Sequence, residues 1–110
     1  MSYDGDRTFY VFQEIDGACP DANYSWPVKL PDTLPSCDRC TFAWTWINAI
    51  GNREYYMNCA DVRIVGGAAG GIRGTPLKIA NMPGYPTLQP PVNNGGPANS
   101  VVHYYPIQRV

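Results

Sequence analysis

Across residues 1–65 the apolar positions recur with a period close to two, the repeat of a half-buried β-strand rather than of a helix. The clearest run is Thr41-Phe42-Ala43-Trp44-Thr45-Trp46-Ile47, where Phe42, Trp44 and Trp46 project one way and Thr41, Ala43, Thr45 and Ile47 the other. Glu54 to Val65 follows, alternating at Ala60, Val62 and Ile64, with Gly51-Asn52 as the intervening turn. Two β-rich runs joined by a short loop predict a hairpin. Large aromatics in such a strand are expected to anchor a core, which makes Tyr3, Tyr24 and Tyr55 better candidates for exposure than Trp44 and Trp46.

Nearer the start, Asp4-Gly5-Asp6 reads as a hairpin-type turn leading into a strand over Thr8–Ile15, with Phe9, Val11 and Ile15 on one face and Gln13 as the exception. Asp16-Gly17 breaks that strand. Tyr24–Leu30 suits an edge, because Pro27 cannot donate to a ladder. After Val65 the texture changes. Gly66-Gly67-Ala68-Ala69-Gly70-Gly71 predicts a flexible run, Thr75–Ala80 one more short strand, and the Pro/Gly-rich stretch from Pro83 an irregular covering strap. The expected organisation is therefore a core part over 1–65, a Gly-rich loop and last strand over 66–82, and an irregular tail over 83–110. The fold class is all-β: an antiparallel sandwich of immunoglobulin or fibronectin type, incomplete, with that tail appended.

Composition agrees. The 110 residues include eleven Gly and eleven Pro and only 15% charged residues, which favours short strands and turns over helices. A net charge of −1 and the lack of any Lys/Arg cluster exclude a nucleic-acid partner, and no apolar run is long enough for a membrane span. The charge is unevenly spread. All nine acids lie between Asp4 and Asp61 with Arg7, Lys29, Arg39 and Arg53, a balance of −5, whereas Arg63, Arg73, Lys78 and Arg109 leave residues 62–110 at +4. At such densities no functional consequence follows.

Four cysteines in so small a chain point to disulfides and an oxidising compartment. Asn23-Tyr24-Ser25 is an N-glycosylation acceptor pattern. Met1 to Asp6 has neither the basic nor the apolar segment of a signal peptide. The cysteines then predict an extracellular protein whose beginning is missing from this chain. Cys37-Asp38-Arg39-Cys40 does not open a helix in a βαβ unit and lacks companions for zinc, so a local structural disulfide fits better than a redox or metal pair. Four cysteines still allow three connectivities. His103, the single histidine, reads as a surface or packed tail residue, since a metal site needs companions. Asp4-Gly5-Asp6 lacks the further oxygens of a calcium loop.

One signature remains. Trp44-Thr45-Trp46-Ile47-Asn48, Gly51-Asn52-Arg53-Glu54 and Tyr55-Tyr56-Met57-Asn58-Cys59-Ala60 run nearly continuously. Together they closely resemble a stretch of fungal lytic polysaccharide monooxygenases of auxiliary-activity family eleven. Ser2-Tyr3-Asp4-Gly5, Gly17-Ala18-Cys19-Pro20 and Ile79-Ala80-Asn81 resemble flanking elements of that group, so the likeness covers about residues 2–81. It implies a β-sandwich with a flat polysaccharide-facing surface, and copper held by an N-terminal histidine brace with an axial tyrosine. On this sequence Tyr56 matches the axial metal position and Glu54 the pocket carboxylate, and both fall on one strand face. The resemblance also implies a Cys19–Cys59 bridge beside Cys37–Cys40. The brace has no counterpart: Met1 is not histidine, and one imidazole cannot furnish the nitrogen-rich square that copper(II) requires. The expectation is a truncated or diverged monooxygenase-like domain, with no cofactor of its own, remnant positions at Glu54 and Tyr56, and chitin or another cell-wall polysaccharide as partner. A non-catalytic carbohydrate-binding or cell-wall-associated β-protein is the alternative, and the incomplete sandwich predicts self-association.

Overall fold

The computed structural model describes residues 1–17, 25–48, 52–88 and 101–110. Among them there is no helix, hence none long and apolar enough to cross a membrane, and every strand ladder is antiparallel. The all-β, antiparallel class expected from the alternation is what forms. The described residues form seven strands: β1 (Tyr10–Val11), β2 (Gln13–Asp16), β3 (Cys37–Ile47), β4 (Tyr55–Ile64), β5 (Ile72–Pro76), β6 (Val101–Tyr104) and β7 (Ile107–Arg109). They pair as a β1-β5-β7 sheet and two ribbons, β2-β6 and β3-β4.

The β3-β4 ribbon is the predicted hairpin, with Trp46 opposite Tyr56, Trp44 opposite Asn58 and Phe42 opposite Ala60. A register shift falls between Cys37 and Cys40, the two cysteines joined by a disulfide. The turn at the start also forms. Gly5 and Asp6 both take positive φ, 70° and 68°, as a tight hairpin turn requires. Asp4 Oδ1 accepts hydrogen bonds from Ser2 Oγ and from the Arg7 and Thr8 amides. Tyr10 and Met1 then exchange backbone hydrogen bonds at 3.0 and 2.9 Å.

The single strand expected over Thr8–Ile15 is two strands with different partners. β1 pairs with β5, β2 with β6, and the ladder changes hands at Phe12. Phe12 is therefore buried (7% exposed), and with Tyr10 it faces the core in place of the expected Phe9, Val11 and Ile15 face. The strand expected over Thr75–Ala80 starts earlier, at Ile72, and ends at Pro76. Residues 25–30 form no strand, although Gln13 anchors them through its side chain, bonding Pro27 O and Lys29 N.

Two stretches read as irregular are built in. The glycine run packs closely: a Cβ on Gly67 would lie 2.8 Å from Leu34 O, and Ser36 N donates to Ala68 O at 3.0 Å. Glycine serves here to let two backbones approach, not to loosen the chain. The tail contributes β6 and β7, and Ile107 enters the core. That core is small: Met1, Phe12, Leu34, Cys40 and Ile107 are buried, with Phe42, Val62, Ile64 and Ile72 packed against them.

Candidate functional site

The far end of the β3-β4 ribbon carries the least expected feature. Strand alternation keeps Phe42, Trp44 and Trp46 on one face, and register adds Tyr56 opposite Trp46. Phe42 packs on Phe12, ring centroids 6.3 Å apart, and stays within the core. The two tryptophans do not. Trp44 is 43% and Trp46 38% exposed, correcting the expectation that both anchor the core. Trp44 and Trp46 lie 6.5 Å apart between centroids, and Trp46 and Tyr56 5.3 Å, each pair tilted by 32°. The result is a row of three solvent-facing aromatic rings. Tyr3 and Tyr55, expected to be exposed, are half-buried: their hydroxyls donate to Pro35 O at 2.7 Å and to Lys78 O at 2.9 Å. Tyr24 lies outside the described residues.

At the same end of the ribbon a polar knot joins Asn48, Arg53, Glu54, Asn81 and Leu88. Arg53 Nε donates to Asn48 O at 2.9 Å, and the Glu54 amide to Asn48 Oδ1 at 3.1 Å. Asn81, at φ 56°, donates through Nδ2 to Arg53 O and accepts the Leu88 amide at 2.8 Å. Arg53 also reaches Leu88 O. Reading the signature singled out Glu54 and Tyr56 but gave no role to Asn48, Arg53 or Asn81. Asn48 and Arg53 flank the hairpin end in the sequence, but Asn81 lies far along the chain and only the fold brings it to them.

Glu54 and Tyr56 come together as expected. Tyr56 Oη donates to Glu54 Oε2 at 3.2 Å, and the Glu54 charge, then that hydrogen bond, hold the phenol above its ordinary pKa. Both are exposed, and they offer oxygen donors only. His103 sits elsewhere, on β6, its Nε2 3.3 Å from Asp16 Oδ2. A carboxylate, a phenol and an imidazole held apart on β6 do not make the nitrogen-rich set that copper(II) requires.

Cys37 and Cys40 are bonded, as their spacing suggested. Cys59 is a free, exposed cysteine on β4, opposite Ala43. Its expected partner Cys19, like the glycosylation candidate Asn23, lies outside the described residues. Beside the aromatic row an open hollow of about 520 Å³ is lined by Trp44, Trp46, Tyr55, Glu14, Asp16 and Tyr105 among others. The Glu14 charge, then burial and the Asp16 charge, raise the pKa of Tyr105.

With this geometry in place, the comparisons converge. The chain is 44% identical over 88 residues to AA11 family lytic polysaccharide monooxygenase A of Aspergillus fumigatus, covering 80% of this chain and 36% of that protein. It is 40% identical over 76 residues to AA11 family lytic polysaccharide monooxygenase B of the same species, and 38% identical over 76 residues to an AA11 family lytic polysaccharide monooxygenase of Aspergillus oryzae. In both cases the match covers 58% of this chain and 18% of the relative. The chain thus spans about a third or less of the curated relatives it matches. No family model matches it, and no solved structure does. The resemblance read from the signature is shared by all three relatives.

Proposed function

We propose that this chain is a lytic polysaccharide monooxygenase-like β-domain of an extracellular protein that docks on a chitin-type polysaccharide and does not itself oxidise it. The observation that carries the reading is the exposed Trp44-Trp46-Tyr56 row. Exposed aromatic rings offer apolar faces on which pyranose rings stack. Similarity to proteins named as acting on polysaccharide supports the same ligand class. The disulfide supports the oxidising compartment.

The oxidative step is assigned to no residue of this chain. Glu54 and Tyr56 give a carboxylate and a phenol hydrogen-bonded to one another, and the single imidazole is paired with Asp16 instead. The same exposed rings, with Met57 at 44% exposure, support self-association in the absence of polysaccharide. Incubation of the copper-loaded chain with chitin and a reductant, followed by mass spectrometry of the soluble fraction, tests the reading together with a depletion assay on insoluble chitin. Depletion without oxidised oligosaccharides is expected. Oxidised products, or failure to bind any chitin-type or cellulosic polymer, would overturn it.

A further inference from the structure

We propose that Glu14, Asp16 and His103 form a binding site for one divalent cation of the zinc class. β2 and β6 pair so that Glu14 lies directly opposite His103, and the two-residue repeat puts Asp16 on the same face as Glu14. One ligand atom from each of the three side chains lies within 4.8 Å of the other two. His103 Nε2 and Asp16 Oδ2 are already 3.3 Å apart. That is also the ligand-to-ligand spacing of a tetrahedral shell with bonds of about 2.0–2.1 Å.

The donor set chooses the ion. Two carboxylates balance a +2 charge, and one imidazole nitrogen favours zinc and its transition-metal neighbours over magnesium or calcium, which prefer oxygen throughout. Three protein ligands leave a coordination position open, and Glu14 and Asp16 both line the hollow beside Trp44 and Trp46. The site is distinct from Glu54 and Tyr56, and it does not depend on the polysaccharide reading.

The test uses the tag-free chain, stripped with a chelator and titrated with zinc chloride and, in parallel, magnesium chloride by calorimetry near pH 7. One saturable equivalent of zinc and no magnesium binding are expected, with the imidazole proton resonances of His103 moving in step; because the chain has a single histidine, their assignment is unambiguous. His103→Gln and Glu14→Gln should each weaken zinc binding by about tenfold or more, with an unchanged circular dichroism spectrum. Absence of saturable zinc binding overturns the proposal. So does zinc binding that survives His103→Gln, including binding that is instead lost in Cys59→Ser and therefore belongs to the thiol.

Discussion

The two ends of β3 share one strand and one face yet meet opposite fates. At the Cys40–Phe42 end the face is covered by Phe12, Leu34 and Ile107, and the disulfide and the Ser2–Thr41 bridge fix the backbone on the same stretch. At the Trp44–Trp46 end the same face is left 43% and 38% exposed, outside the core cluster. One end spends its apolar surface on stability. The other holds it outward at some cost in solubility, as a binding surface does.

Substitution should separate the two ends sharply. Phe12→Ala removes the ring on which Phe42 packs and opens a cavity in a core of few residues, so a loss of about 3–5 kcal/mol is expected in urea titration. A loss below about 1 kcal/mol would mean that the core end is no more structural than the aromatic row.

A second substitution probes how that core end is closed. Gly67→Ala places a methyl 2.8 Å from Leu34 O and 3.2 Å from Ser36 N, both backbone atoms that cannot swing aside. A destabilisation of about 1–3 kcal/mol is expected by thermal unfolding, whereas Gly71→Ala, with nothing within 4 Å, should sit close to wild type. Equal effects at the two positions would return the glycine run to the flexible linker its sequence suggests.

What the sequence announced and what it hid follow one physical line. The β3-β4 hairpin was legible because alternation and a short loop are local properties, and the Glu54–Tyr56 pairing was singled out by the family resemblance, with strand period agreeing. β6 and β7 were not, since strands of four and three residues in a Pro/Gly-rich segment owe their existence to β2 and β5, distant in sequence. The switch of partner at Phe12 was hidden for the same reason, and it set Tyr10 and Phe12, not Phe9 and Val11, against the core. Period two tells which residues share a face. It does not tell which face is wet, and so Trp44 and Trp46 were assigned to the core. The Asp16–His103 pair joins β2 to β6, and no motif spacing links those residues.

At the open end, Trp44→Ala with Trp46→Ala should cost less stability than Phe12→Ala while weakening chitin binding by at least about tenfold. Sedimentation should show the double variant less self-associated than the parent chain. Unchanged chitin affinity would detach the rings from the polysaccharide reading, and a large stability loss would make them part of the core after all.

The smallest effect belongs to the turn that delivers Met1 and Ser2 to the closed end. Asp4 accepts hydrogen bonds from the Thr8 and Arg7 amides and from Ser2 Oγ, and these favour its charged form, chiefly the Thr8 amide, so its pKa lies below the usual value of 3.8. A carboxyl whose pKa is depressed by folding contributes stability that is fully present above the unfolded value and disappears as pH falls through the folded one. The contribution should therefore hold at neutral pH and fade below pH 3.8. Asp4→Asn keeps an acceptor oxygen but removes the charge, so it should flatten that part of the acid limb while leaving β3 and β4 intact. Because the side chain is solvent-exposed, the shift in unfolding midpoint should be the least of those considered. Thermal midpoints for parent and variant from pH 2 to pH 7 decide the matter. Two curves that converge at low pH and separate above the unfolded value support the turn as a charge-held clamp, and parallel curves would assign its rigidity to the positive-φ pair Gly5 and Asp6 alone.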